Sequence, residues 1–233
     1  MRLDKFLTEM EIGSRNQVKA YIKKGLIEVN GSICKKADFK LDENNDKVTY
    51  AGTELKYKRF QYILLNKPQG VVTATKDYKE KTVMDLLKDV RKKDCSPVGR
   101  LDKDTEGLLL ITNDGELAHK LLSPKKHVDK VYRVNLAHSI GDNEIIELES
   151  GVDIGDDSVT LPAKVQKIND TEILLTIHEG RFHQVKRMLK AVGNEVIYLR
   201  REAFGSLILD DSLEVGEYRE LTIDEIENLR NLG

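Results

Sequence analysis

Two stretches of this chain concentrate residues that could do chemistry. The first runs Val98-Gly99-Arg100-Leu101-Asp102-Lys103-Asp104-Thr105-Glu106-Gly107-Leu108-Leu109-Leu110-Ile111-Thr112. It sets three carboxylates, Asp102, Asp104 and Glu106, in a polar loop between two glycines that feeds an apolar run. A carboxylate at the mouth of a strand is held rigidly beside any cleft there and can act as nucleophile, base or charge stabiliser. An exposed acidic turn has the same composition, and composition alone favours that reading. The second stretch is His178-Glu179-Gly180-Arg181-Phe182-His183-Gln184-Val185-Lys186-Arg187-Met188-Leu189. After a glycine turn, Val185, Met188, Leu189 and Val192 fall at helical spacing and Gly193 is placed to end the helix. Lys186, Arg187 and Lys190 take the other face. A helix N-terminus with arginine, glutamine and histidine nearby suits phosphate, although His183 alone fits a structural hydrogen-bonding residue better than a catalyst.

The elements that must hold these stretches begin at Tyr62. Tyr62–Asn66 is a buried-looking run, Lys67-Pro68-Gln69-Gly70 is a turn, and Val71–Thr75 reads as a returning strand. Thr82–Leu87 reads as a short helix. Val131–Leu136, Ile173–Ile177 and Glu195–Leu199 are further strands, mixed with two or three helices. The pattern predicts an α+β domain over 60–233 built on a mainly antiparallel sheet.

In front of it, residues 1–59 read as a small separate domain. Leu3, Phe6, Leu7 and Met10 make one helical stripe, broken at Gly13. Ser14 with Gln17 three residues on is a capping-box signature. It opens a helix with Val18, Tyr21 and Ile22 on its apolar face and Arg15, Lys19 and Lys23 on another, ended by Gly25. Asn30-Gly31 between two short apolar runs is a hairpin signal, because both turn positions need positive φ. Asp42–Asp46 reads as a polar turn before a strand at Lys47–Tyr50, and Gly52–Arg59 as a linker.

Charge divides along the same chain. Residues 1–59 hold 13 Lys+Arg against 9 Asp+Glu, residues 60–133 hold 15 against 11, and residues 134–233 hold 10 against 20. A basic front over an acidic rear points to an anionic partner, nucleic acid foremost. No apolar stretch approaches the ~18 residues of a membrane span, and Asp4 and Lys5 interrupt what would be a signal-peptide core. Cys34 and Cys95 are far apart and lack metal-ligand spacing, which predicts a reducing cytoplasm, no disulfide framework and no zinc.

Arg2-Leu3-Asp4-Lys5-Phe6-Leu7, Ser14-Arg15 and Gly25–Gly31 resemble the S4-like RNA-binding domain. That resemblance implies structured RNA as partner, touched at its backbone by Arg2, Lys5, Arg15, Lys19 and Lys23. Gly99-Arg100-Leu101-Asp102 with Thr105 and Gly107, Lys130-Val131-Tyr132, and Glu179–Met188 resemble the signature segments of the ribosomal RNA pseudouridine synthases. The His183–Met188 form and the run Gly216–Thr222 are most similar to the small-subunit branch of that family, and Phe182-His183 stands where the large-subunit relatives tend to have an asparagine-arginine pair. The resemblance covers Met1 to about Ile226. It implies isomerisation of a uridine in 16S rRNA, with uridine 516 as the family target, by cleavage of N1–C1′ and reattachment through C5. Asp102 is then the essential aspartate, Arg181 the arginine that pairs with it, and Tyr132 the ring that stacks on the flipped base. Arg100 fills the gap the base leaves or holds its phosphate, and Lys186 and Arg187 contact RNA. No cofactor or metal is implied. The partner is ribosomal RNA within a 30S assembly intermediate, with no membrane, and monomer is the default state. Large-subunit rRNA as substrate, or an RNA-binding factor without catalysis, are the alternatives.

Overall fold

The computed structural model describes residues 1–42, 45–55, 58–88 and 90–232. The chain divides into two units, Met1–Phe60 with Asp89–Lys93, and Gln61–Lys88 with Asp94–Gly233.

The first unit contains α1 (Leu3–Glu9), α2 (Arg15–Lys23), β1 (Ile27–Val29), β2 (Ser32–Ile33), β3 (Val48–Tyr50) and β4 (Thr53–Leu55). The strands form one antiparallel sheet in the order β2-β1-β3-β4. Ser14 caps α2 reciprocally with Gln17, as the sequence predicts. Val18 and Ile22 turn inward onto Leu3, Phe6, Leu7 and Ile27, each apolar side chain contributing roughly 1.5–3 kcal/mol on burial. Arg15, Lys19 and Lys23 are exposed. Asn30 and Gly31 both take positive φ, and so do Ala51 and Gly52. The second pair is a hairpin turn that the sequence reading took as linker: it folds Thr53–Leu55 back onto β3. Positions 56 and 57 of that expected linker, and 43 and 44 of the expected polar turn, lie outside the described residues.

The second unit runs β5 (Tyr62–Lys67), α3 (Val83–Leu86), β6 (Ser96–Pro97), β7 (Glu106–Thr112), α4 (Gly115–Leu122), a 3₁₀ turn at Pro124–Lys126, β8 (Lys130–Leu136) and α5 (Asp142–Ser150). It continues with β9 (Lys164–Asn169), β10 (Glu172–Ile177), α6 (Gln184–Ala191), β11 (Val196–Phe204), β12 (Leu207–Ile208), β13 (Tyr218–Glu220) and α7 (Ile223–Arg230). One sheet carries the order β13-β5-β7-β11-β8-β10-β9, with β6 paired to β7 and β12 to β11. Every pairing is antiparallel except β7 with β11. The expected strand at Val71–Thr75 is reduced to a single bridge between Val72 and Thr82, because the chain bends straight after it, the Ala74 N–H turning back onto the Val72 carbonyl.

The parallel junction depends on Gly107. It sits at φ +104°, opposite Arg201, where a Cβ would lie 2.3 Å from the Arg201 carbonyl oxygen. Gly107→Ala is therefore expected to cost about 3 kcal/mol, from φ strain plus forced separation of two central strands. An unchanged urea midpoint would contradict this.

Candidate active site

The loop carrying Asp102 is tied from below by a lysine whose sequence context is that of a plain turn. Lys67 ends β5 and is 0% exposed. Its Nζ donates to the carbonyls of Pro68 at 3.0 Å, Asp102 at 3.0 Å and Thr105 at 2.9 Å. An ammonium has three donors: two are used on the strap that bears the carboxylate and the third on Lys67's own turn at Pro68. Burial pushes Lys67 down to about 8, opposed by the charges of Asp102, Asp104 and Glu106. From the side, the Thr73 hydroxyl donates to the Leu101 carbonyl at 2.7 Å and the Gly70 N–H donates to the Lys103 carbonyl at 2.8 Å. Asp102 is thus fixed through its own backbone, with its side chain left free to act.

Above this strap opens a cleft of about 900 Å³, lined by Asp102, Tyr132, Arg181, His183, Lys186 and Arg201 among others. Lys186 Nζ stands 3.4 Å from Asp102 and His183 Nε2 3.6 Å from it. His183 sits just before α6 at φ +48°, a conformation costly for a non-glycine residue and one that clusters at functional sites. Its ring stacks on Phe182, centroids 3.8 Å apart, and Phe182 is 73% exposed.

The three carboxylates of the loop separate. Asp104 takes a hydrogen bond from Lys186 that lowers its carboxyl below the usual range. Glu106 accepts from the Tyr198 hydroxyl at 2.6 Å, and burial together with that contact pushes Tyr198 up to about 12. Asp102 is the one left facing the cleft beside Tyr132. Arg100 is exposed and also lines the cleft.

Two expectations need correction. Arg181 does not pair with Asp102. Its Nε donates to Glu179 at 3.0 Å, and its two terminal nitrogens donate to the carbonyls of Ser158 and Val159 at 2.6 and 2.8 Å. Arg181 precedes the left-handed turn at His183 and is carried away toward residues 158–159. Lys186, in the first turn of α6, is directed back over the helix start and meets Asp102 instead. Arg187 is likewise committed internally, to the Ile154 and Phe182 carbonyls and to Asp156, so its guanidinium is not a free phosphate contact. In the first unit Arg2 forks onto Asp4 at 3.0 and 2.8 Å, and Lys5 lies 3.7 Å from Glu9.

Lys130, two residues before Tyr132, lines the same cleft. Burial, then the Arg201 charge, pushes it down to about 8 from an ordinary 10.5, with Asp129 and Glu179 opposing. Below pH 8 this lysine is charged whether the chain is folded or unfolded. Between pH 8 and 10.5 the folded chain releases the proton first, so the unfolded chain binds more protons and stability rises with pH. Urea unfolding should show wild type gaining on Lys130→Met across that window. A constant difference would refute the burial argument.

Residues 61–191 match the RNA pseudouridylate synthase family and residues 1–47 match the S4 domain. A Bacillus subtilis protein, named uncharacterized RNA pseudouridine synthase YtzG, is 50% identical over 98% of both chains. Ribosomal small subunit pseudouridine synthase A of Vibrio cholerae is 43% identical, covering 98% of this chain and 99% of that one. The Escherichia coli protein of the same name is 41% identical, over 98% and 100%. A solved pseudouridylate synthase aligns at 39% identity with a TM-score of 0.70, covering 98% of this chain and 99% of that one.

Proposed function

We propose, from the premise that this chain belongs to the RNA pseudouridylate synthase family, that it isomerises one uridine of small-subunit ribosomal RNA, uridine 516 of the 16S molecule, using Asp102 as its essential carboxylate. The observation that carries the assignment of Asp102 is that Lys67 holds its carbonyl and Thr73 that of the adjacent Leu101, while its side chain faces a cleft shared with Tyr132.

The reaction breaks N1–C1′, turns the base and rejoins it through C5. The target uridine must first leave its stack, at a few kcal/mol in a paired region and less in an irregular one. Arg100, exposed beside the cleft, stands where it can fill the gap or hold the displaced phosphate. Tyr132 offers a ring for the extruded uracil. Asp102 then meets the reacting nucleoside, with Lys186 at 3.4 Å as its counter-charge, the part that the sequence reading gave to Arg181. Arg181 retains a supporting part: it knits residues 158–159 and Glu179 around the start of α6.

The S4 domain supplies backbone affinity through Arg15, Lys19 and Lys23 on α2, with Arg2 and Lys5 on the neighbouring helix start. Lys186 adds charge at the cleft. The substrate is ribosomal RNA within a 30S assembly intermediate, met in the cytoplasm by a monomer. Among the described residues no helix is long and apolar enough to cross a membrane.

Pseudouridine maps of 16S and 23S rRNA from cells lacking the gene test this reading. Loss of one 16S site, restored by the intact chain and not by Asp102→Asn, is the expected result. A site lost from 23S would move the substrate to the large subunit, and unchanged maps would remove the enzymatic assignment.

A further inference from the structure

Arg201 has the largest volume among the fully buried side chains, at 1% exposure. Its Nε donates to the Leu108 carbonyl at 2.8 Å, and its guanidinium carbon lies 5.2 Å from the centre of the Phe204 ring. Its Nη2 is sealed from solvent without an acceptor, and Arg201 forms no ion pair among the described residues. A guanidinium does not shed its proton in a protein, so this is a permanent charge, buried, with donors to spare. Its neighbour Arg200 also buries an Nε without an acceptor but has a counter-charge, Glu202 at 3.7 Å.

Register puts Arg201 beside the chemistry. It is directly opposite Tyr132 on β8, and cross-strand partners send their side chains to the same face. Both line the cleft with Asp102. A register shift follows immediately, between Arg201 and Ala203, the kind of bulge that re-aims side chains next to active sites. Lys130 shares the setting: its Nζ donates to the Val128 carbonyl at 2.7 Å and lies 5.7 Å from the centre of the same Phe204 ring. The surroundings are apolar, with Leu101, Leu199 and Phe204 on the cleft lining. Such a place suits a flat, neutral ring with carbonyl acceptors better than a strongly hydrated phosphate.

We propose that Arg201, assisted by Lys130, binds the uracil ring of the substrate through its carbonyl oxygens and takes up the negative charge that develops there when the glycosidic bond breaks. The inference rests on the pseudouridine synthase reading and adds to it the group that stabilises the departing base. When N1–C1′ breaks, the base leaves with both electrons of the bond and C1′ is left electron-deficient. The charge on N1 spreads to O2 and O4, where fixed donors stabilise it without reorganisation. On rejoining, C5 supplies the pair for the new bond to C1′, loses its proton to a base, and N1 regains a proton. Cytosine would turn an amino donor toward any guanidinium that meets the 4-position, so the same residue favours uracil.

The test uses 16S rRNA transcribed with either uridine or 5-fluorouridine, in single-turnover assays that count the C-linked nucleoside after nuclease digestion. On the fluorinated RNA C5 keeps its fluorine, so the product counted is the C-linked 5-fluoro nucleoside, with water added at C6 in place of proton loss from C5. Fluorine at C5 stabilises the uracil anion by itself. Arg201→Met is expected to slow conversion of the uridine RNA by ~100-fold, the effect of removing one preorganised donor, and to slow the fluorinated RNA by about tenfold or less. Arg201→Lys, which keeps a charge, should fall between wild type and Arg201→Met. The ratio of the two substrates within one preparation does not depend on how much of the variant is folded. Equal slowing on both RNAs would overturn the proposal and leave Arg201 a packing residue. If wild type converts neither RNA, the small-subunit substrate reading fails and takes this inference with it.

Discussion

Asp102→Asn is expected to lower pseudouridine formation by roughly 10⁴-fold or more, the scale on which removal of a central catalytic side chain acts, while RNA affinity and thermal stability stay near those of wild type. The backbone of residue 102, not its carboxylate, receives the Lys67 bond, so the amide replacement leaves the strap in place. Only the contacts to Lys186 at 3.4 Å and His183 at 3.6 Å change character. Release of tritium from C5-labelled rRNA measures the step directly. A variant that keeps a tenth of wild-type activity would exclude Asp102 as the essential carboxylate.

Lys67→Met is expected to have the largest effect on the fold of any substitution near the site. Three carbonyls, those of Pro68, Asp102 and Thr105, lose their shared donor at once. Each buried acceptor left without a partner costs about 1–3 kcal/mol, partly offset by no longer burying a charge. A net loss of about 3 kcal/mol or more in urea unfolding should follow. The rate should drop by ~100-fold even where the variant is fully folded, because a small displacement of a reacting group is enough for that. Wild-type stability with wild-type rate would show that Thr73 and Gly70 hold the loop unaided.

Much of the fold was legible because the signals were local. The capping box at Ser14 and Gln17 and the Asn30-Gly31 turn each rest on a few adjacent residues and one steric or hydrogen-bonding rule. Where a competing local reading existed, the sequence misled: Gly52–Arg59 looked like a linker, and Val71–Thr75 like a strand. In the first, Ala51 adopts positive φ without being glycine or asparagine. In the second, the chain bends after one bridge, with the Ala74 N–H turned back onto the Val72 carbonyl.

The site divides along the same line. Residue order alone brought out the loop of Asp102, the strand of Tyr132, the basic helix after Gly180 and the S4-like front, since each is a continuous run. Which cation meets the carboxylate was a matter of tertiary structure, because the 80-odd residues between Asp102 and Lys186 carry no information about where two side chains converge. That is why Arg181, the stronger hydrogen-bonding group by residue type, serves residues 158–159, and why Lys67 reads in sequence as an ordinary turn residue. Arg201 left one faint trace: alternation along β11 sets it on the same side as buried Leu199. Its buried charge became visible only once Gly107, Tyr132 and Phe204 were assembled around it, since desolvation and donor satisfaction are properties of a packed neighbourhood and not of a residue type.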